Sequence, residues 1–129
     1  MSEVRDGLFY SEEHEWASAA GGQVVRIGIT DHAQCQLGDI VFVELPQPGS
    51  SVNAGESVGS IESVKTVSEM YAPVSGKVVR VNESLLDQPE IVNGDPYGAG
   101  WIMEVEVEGD VDTALGKLLT ADRYRELIE

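Results

Sequence analysis

In the segment Ile61-Glu62-Ser63-Val64-Lys65-Thr66-Val67-Ser68 a lysine stands near the midpoint of a stretch bracketed by Gly55 and Gly76. Its β-branched content predicts a strand, a tight turn and a second strand, with the ε-amine of Lys65 pushed out at the tip. The chain has three lysines; Lys77 directly follows the Pro73 to Gly76 turn and Lys117 falls in a predicted helix. Lys65 alone has near-equal strands on either side, where a modifying enzyme can approach the amine. That is the arrangement of a post-translational attachment site, although a solvated turn lysine is the commoner occurrence for such a residue taken singly.

The other chemistry-bearing residues carry less. His14 lies among Glu12, Glu13 and Glu15, which suggests a metal cluster, but adjacent strand residues point to opposite faces and cannot all converge on one ion. His14 is therefore read as structural. His32 precedes Cys35 by three residues, a spacing that shows proximity and nothing about activation of a nucleophile. Trp16 and Trp101 are read as core or cleft wall, and no acid–base constellation of a hydrolase is present.

The chain has 129 residues, the size of one domain spanning 1–129, with 23 acids against 8 bases and a net charge of −15. Such a charge repels phosphate backbones and anionic bilayers, so neither nucleic acid nor membrane is an expected partner, and a monomer is expected. Cys35 is the only cysteine, which excludes an intramolecular disulfide and favours a reducing compartment. Met1-Ser2-Glu3-Val4-Arg5-Asp6 has neither the basic flank and apolar core of a signal peptide nor the look of a transit peptide, so the cytoplasm is the expected address. No apolar run reaches membrane-spanning length.

The elements that must position Lys65 are mostly strands. Leu8 to Tyr10, His14 to Ala17 and Gln23 to Ile29 read as strands, with Gly21-Gly22 as a turn. Thr30 or Asp31 caps a helix from His32 to Leu37 that stops at Gly38. Ile40 to Leu45 is a nearly continuous apolar run, expected to be covered on both faces at the centre of the core. Strands continue through Ser57 to Tyr71 and Lys77 to Val81. Asn93 to Gly100 reads as loop by its glycines and proline. Trp101, Met103, Val105 and Val107 alternate with Ile102, Glu104, Glu106 and Glu108, as on a sheet with one face largely in water. Asp112 is expected to cap a helix through Leu118, and Thr120 a last one that aligns Tyr124, Leu127 and Ile128. Short strands and turns with a few short helices predict a mainly β sandwich or flattened barrel.

Six blocks, His14-Glu15-Trp16, Gly28-Ile29-Thr30-Asp31-His32-Ala33, Leu37-Gly38-Asp39-Ile40-Val41-Phe42-Val43, Glu62-Ser63-Val64-Lys65, Ala72-Pro73-Val74-Ser75-Gly76 and Asp95-Pro96-Tyr97-Gly98-Ala99-Gly100-Trp101, occur in this order. Together they resemble the glycine cleavage system H-protein family, from about Leu8 to the final helix. The resemblance implies a barrel-sandwich hybrid of the lipoyl/biotinyl kind, with short helices added, including a C-terminal one. It also implies (R)-lipoate in amide linkage on Lys65. Biotinyl sites carry methionines on both sides of the lysine, whereas Val64 and Thr66 flank this one.

The implied function is that of a carrier, not an enzyme. Its dithiolane would take the aminomethyl group from glycine decarboxylase (P protein), pass the methylene to the aminomethyltransferase (T protein) and be reoxidised by dihydrolipoamide dehydrogenase (L protein). Lipoylating enzymes are further partners, and Glu62, three residues before Lys65, would mark the turn for them. By family position Glu15 and Glu69 would line the cleft that holds the cationic, loaded arm. Gln36 stands where some relatives have histidine, which weakens any claim that an imidazole there is essential. A relay protein that donates lipoate to other lipoyl domains is the alternative.

Overall fold

The computed structural model describes residues 3–128, in nine strands and five short helices. In chain order they are β1 (Phe9–Tyr10), β2 (Glu15–Gly21), β3 (Val24–Ile29), α1 (Asp31–Leu37), β4 (Ile40–Glu44), β5 (Ser51–Val52), β6 (Ser57–Ser63), β7 (Val67–Tyr71) and β8 (Gly76–Val81). There follow α2 (Ser84–Asp87), α3 (Ile91–Gly94), β9 (Met103–Glu106), α4 (Val111–Gly116) and α5 (Ala121–Ile128). All pairings are antiparallel, in a six-stranded sheet of order β1-β2-β3-β9-β8-β5 and a three-stranded sheet of order β4-β6-β7.

The main core lies between the sheets. Ala17, Val25, Ile27, Val78 and Val105 of the larger sheet and Val43, Ile61 and Met70 of the smaller belong to one apolar cluster. Burying them supplies most of the driving force. A second cluster, with Tyr10, Trp16, Tyr97 and Tyr124, fastens α5 to the outside of β1 and β2. There the ring of Tyr10 stacks on Tyr124, centroids 4.6 Å apart.

The expected mainly β architecture with short helices and a C-terminal one is what the chain forms. Thr30 caps α1 by accepting from the Ala33 N–H, and Thr120 Oγ1 accepts from the Arg123 N–H at the start of α5. Several expectations need correction. β4 is an edge strand, not the centre of the core; Val41 and Phe42 are 53% and 43% exposed, and only Ile40 and Val43 face inward. A continuous apolar run cannot distinguish a central strand from an edge one that is bulged, as β4 is between Ile40 and Phe42.

The stretch from Asn93, expected as loop, opens inside α3, and β5 and α2 have no counterpart in the sequence pattern. Asp110, not Asp112, caps α4. In β9 the polar Glu104 is buried, because Arg26 of β3 and Arg80 of β8 cover it with ion pairs of 2.8 and 3.4 Å. Leu127 is 48% exposed, while Tyr124 is fully buried.

Candidate functional site

The β6–β7 hairpin turns at Val64 and Lys65, both exposed. Ser63 organises the turn: its Oγ accepts from the N–H groups of Lys65 and Thr66, each at 3.2 Å, and its own N–H donates to the Thr66 carbonyl. The Val64 N–H donates to the Asp39 carbonyl at 3.1 Å, tying the apex to the corner between α1 and β4. Behind that corner Asn93 makes three bonds. Its Oδ1 accepts from the Ile40 N–H, and its Nδ2 donates to the Gly38 carbonyl and to Gln34 Oε1. A flexible side chain is thus presented from a fixed platform.

From the apex a cleft of about 300 Å³ runs beside β7, lined by Thr66, Val67 and Ser68 on one side and by Ala33, Gln36, Leu37, His14 and Glu13 on the other. Glu13 also lines a second pocket of about 260 Å³, which contains Ser11, Glu12, Glu15, Tyr71 and Lys117. Glu15 is only 3% exposed there. Ser11 Oγ donates to its Oε1 at 2.6 Å and the Tyr71 N–H to its Oε2 at 3.3 Å. Burial outweighs both bonds and pushes its carboxyl up to about 8. Glu69 is exposed, and its Oε2 accepts from the Tyr71 hydroxyl at 3.0 Å. The two glutamates singled out in the sequence therefore meet at one residue, Tyr71, which no sequence signal marks.

Glu62 lies in β6, half-buried, opposite Phe42 on one neighbour and Val67 on the other. His14 departs from expectation. It is not a strand residue; it has φ 68, in the left-handed region, and it is among the residues that line the cleft. Its Nδ1 is 2.8 Å from the Tyr124 hydroxyl, and its ring is 4.9 Å from that of His32. Burial, then His32, holds its pKa below the usual imidazole value. Among the described residues no group of three His, Cys, Asp or Glu side chains could hold a metal ion. Trp16 is buried, its Nε1–H donating to the Pro96 carbonyl, and Trp101 is half-buried against the guanidinium groups of Arg26 and Arg80. No helix among the described residues is long and apolar enough to cross a membrane.

The model of the family described as glycine cleavage H-protein matches residues 8–129. The chain belongs to that family. A glycine cleavage system H protein of Mycolicibacterium smegmatis is 52% identical over 129 residues, covering 99% of this chain and 98% of the relative. One from Mycobacterium tuberculosis is 50% identical, covering 97% and 96%. A crystal structure of a glycine cleavage system H protein from Mycobacterium marinum superposes with a TM-score of 0.84 at 44% identity, over 95% of this chain and 97% of that one. The names of those relatives place them in the glycine cleavage system. The lysine apex and the cleft beside it are the features on which a part in that system can rest.

Proposed function

We propose that Lys65 carries lipoate in amide linkage and that the chain is a non-enzymatic carrier of glycine cleavage. In this reading the loaded arm passes from glycine decarboxylase (P protein) to the aminomethyltransferase (T protein), and dihydrolipoamide dehydrogenase (L protein) reoxidises it, in the cytoplasm. The observation that carries the reading is an exposed lysine on a tethered apex, with a cleft that starts at the neighbouring Thr66 and shares Glu13 with the pocket of a buried carboxyl, Glu15. When attached, the group would supply a disulfide able to accept an aminomethyl unit together with the electrons that accompany it.

The chain's own residues supply the rest. Ala33, Leu37 and Val67 offer apolar surface to the methylenes of an arm and keep water from part of it. Glu15 is held protonated near neutrality by its burial. An incoming ammonium group favours the carboxylate, so Glu15 gives its proton to solvent and becomes a counter-ion, with Glu69 beside Tyr71 as a second acceptor. Glu62, three residues before the lysine on β6, is the feature we assign to recognition by a lipoylating enzyme.

Intact mass and peptide mapping of the native protein test the reading: a lipoyl amide on Lys65 is expected, and biotin or nothing there overturns it. Lys65→Arg is expected to keep the fold, since an exposed tip contributes little packing, and to abolish glycine-dependent exchange. Exchange retained by the arginine variant equally overturns it.

A further inference from the structure

We propose that His14 is a fixed hydrogen-bond donor to the amide carbonyl of the acylated Lys65, and that Tyr124 of the C-terminal helix is the positioning residue that holds it so. The inference rests on the lipoyl reading above and extends it to residues that reading does not use.

A row of three side chains, buried at Thr30 and Tyr124 and half-buried at His14, fixes where each proton lies. Thr30 is fully buried, and its Oγ1 already accepts from the Ala33 N–H at 3.2 Å. Its single proton has one remaining partner among the described residues, the Tyr124 hydroxyl at 2.8 Å. Tyr124 then accepts from Thr30 and spends its own proton on His14 Nδ1, also at 2.8 Å. A neutral imidazole that accepts at Nδ1 carries its proton on Nε2. The opposite order would start from an Nδ1–H and end at a Thr30 hydroxyl proton with no acceptor, buried away from water.

The same row disfavours a charged His14. Protonation would place a hydrogen on Nδ1 and force the reversal just described, and His32 of α1 sits 4.9 Å away, ring to ring. The titratable groups around His14 are His32 from α1, Tyr124 from α5 and Glu13 from its own loop. Burial acts in the same direction as the proton order.

His14 Nε2 has no hydrogen-bond partner among the described residues, yet no buried side-chain nitrogen or oxygen among them lacks one. This nitrogen is therefore open, and the cleft that His14 helps to line is the space we assign to it. The cleft begins at Thr66, next to the lysine, and reaches Ser68, roughly 10 Å along the strand from Lys65. Between the lysine nitrogen and the two sulfurs of a lipoyl arm the one strong acceptor is the amide carbonyl. Gln36, Thr66 and Ser68 can also donate, but all three are exposed and free to turn. The imidazole is held from behind, by a hydroxyl whose ring is itself stacked on Tyr10.

Two variants test this. Tyr124→Phe removes the hydroxyl and keeps the ring stack; His14→Asn removes the imidazole and suits a left-handed backbone. Long-range proton–nitrogen spectra of the imidazoles are recorded on the unmodified and lipoylated forms of the wild type and of Tyr124→Phe. The wild type is expected to show His14 as the Nε2–H tautomer in both forms, with its Nε2–H signal shifted by lipoylation; Tyr124→Phe is expected to show mixed tautomers. The rate at which an added phosphine reduces the oxidised arm is expected to rise a few-fold in both variants, the worth of one hydrogen bond.

An Nδ1–H tautomer in the wild type overturns the proposal, as does a tautomer indifferent to Tyr124→Phe. An unmodified Lys65 in the native protein appears in the mass and sinks the underlying reading. A lipoylated chain whose arm is reduced equally fast in all three proteins sinks this inference alone.

Discussion

The side chain of Lys65 lies across Gly38: a Cβ on that glycine would fall 3.0 Å from the lysine Cε and 3.5 Å from Nζ. Gly38 also closes α1, with its N–H bonded to the Gln34 carbonyl, at φ 81 and ψ −152, a backbone region that is essentially glycine's alone. One residue thus ends the helix and beds the stem of the lysine. Gly38→Ala is expected to lower stability by roughly 1–3 kcal/mol through backbone strain. The stem, being flexible, should shift aside, so acylation of Lys65 by a lipoate ligase should slow without being lost. Urea unfolding and the rate of mass gain check the two halves; an unchanged urea midpoint refutes the first.

Asn93 holds the corner to which the hairpin apex is tied. Asn93→Asp keeps the acceptor for the Ile40 N–H but turns a carboxylate oxygen onto the Gly38 carbonyl and Gln34 Oε1, where the amide had donated. A loss of about 1–3 kcal/mol is expected, towards the lower end because Asn93, Gly38 and Gln34 are only half-buried. The new carboxyl should resist ionising in the folded chain, so the deficit against the wild type should shrink as pH falls through its pKa. Parallel denaturation curves of the two proteins at acid and neutral pH would show it.

Much of this site could be read from residue types alone. Lys65 stands out because β-branched residues flank it and glycines bound the segment, and α1 is announced by Thr30 at one end and Gly38 at the other. The rest depends on facts that local pattern does not carry. Glu15 looks like any strand carboxylate until β7 brings the Tyr71 N–H against it and closes it from water. His14 reads as the first residue of a strand, yet it has a left-handed backbone and borders the cleft, and its partner Tyr124 is 110 residues away. Asn93 sits in a stretch whose glycines read as loop, and its bonds reach back to α1 and β4. The apolar run of β4 has the composition of a central strand but an edge position, which only the pairing order reveals.

Trp16 and Gly28 face each other across β2 and β3, and a Cβ on Gly28 would lie 2.6 Å from the indole nitrogen. Gly28→Ala must push the indole aside and with it the 2.9 Å bond to the Pro96 carbonyl. Overpacking of this kind is expected to lower stability by about 1–3 kcal/mol, with more if the bond breaks. A lower urea midpoint and a red-shifted tryptophan emission are the signs to look for. An alanine variant with wild-type emission and midpoint would show that the indole has room to move.

Glu15 gives the folded chain a dependence on pH that one substitution should remove. Its carboxyl lies near 8 in the folded state against 4.5 for the free group, so the folded chain holds this proton more tightly than the unfolded chain does. The corresponding stability is fully present below about pH 4.5, is lost as pH rises towards 8, and changes no further above that. Glu15→Gln imitates the protonated form: its amide can donate to Ser11 Oγ while its oxygen accepts from the Tyr71 N–H. The variant should match the wild type in mild acid and exceed it at pH 9 by several kcal/mol, since each tenfold difference in proton affinity between the folded and unfolded chains is worth about 1.4 kcal/mol. The difference between their unfolding free energies, followed from pH 4 to 9, isolates this group from the many other carboxylates. A difference that stays flat over that range would mean that Glu15 ionises as an ordinary carboxylate does, and the proton release proposed for arm docking would lose its basis.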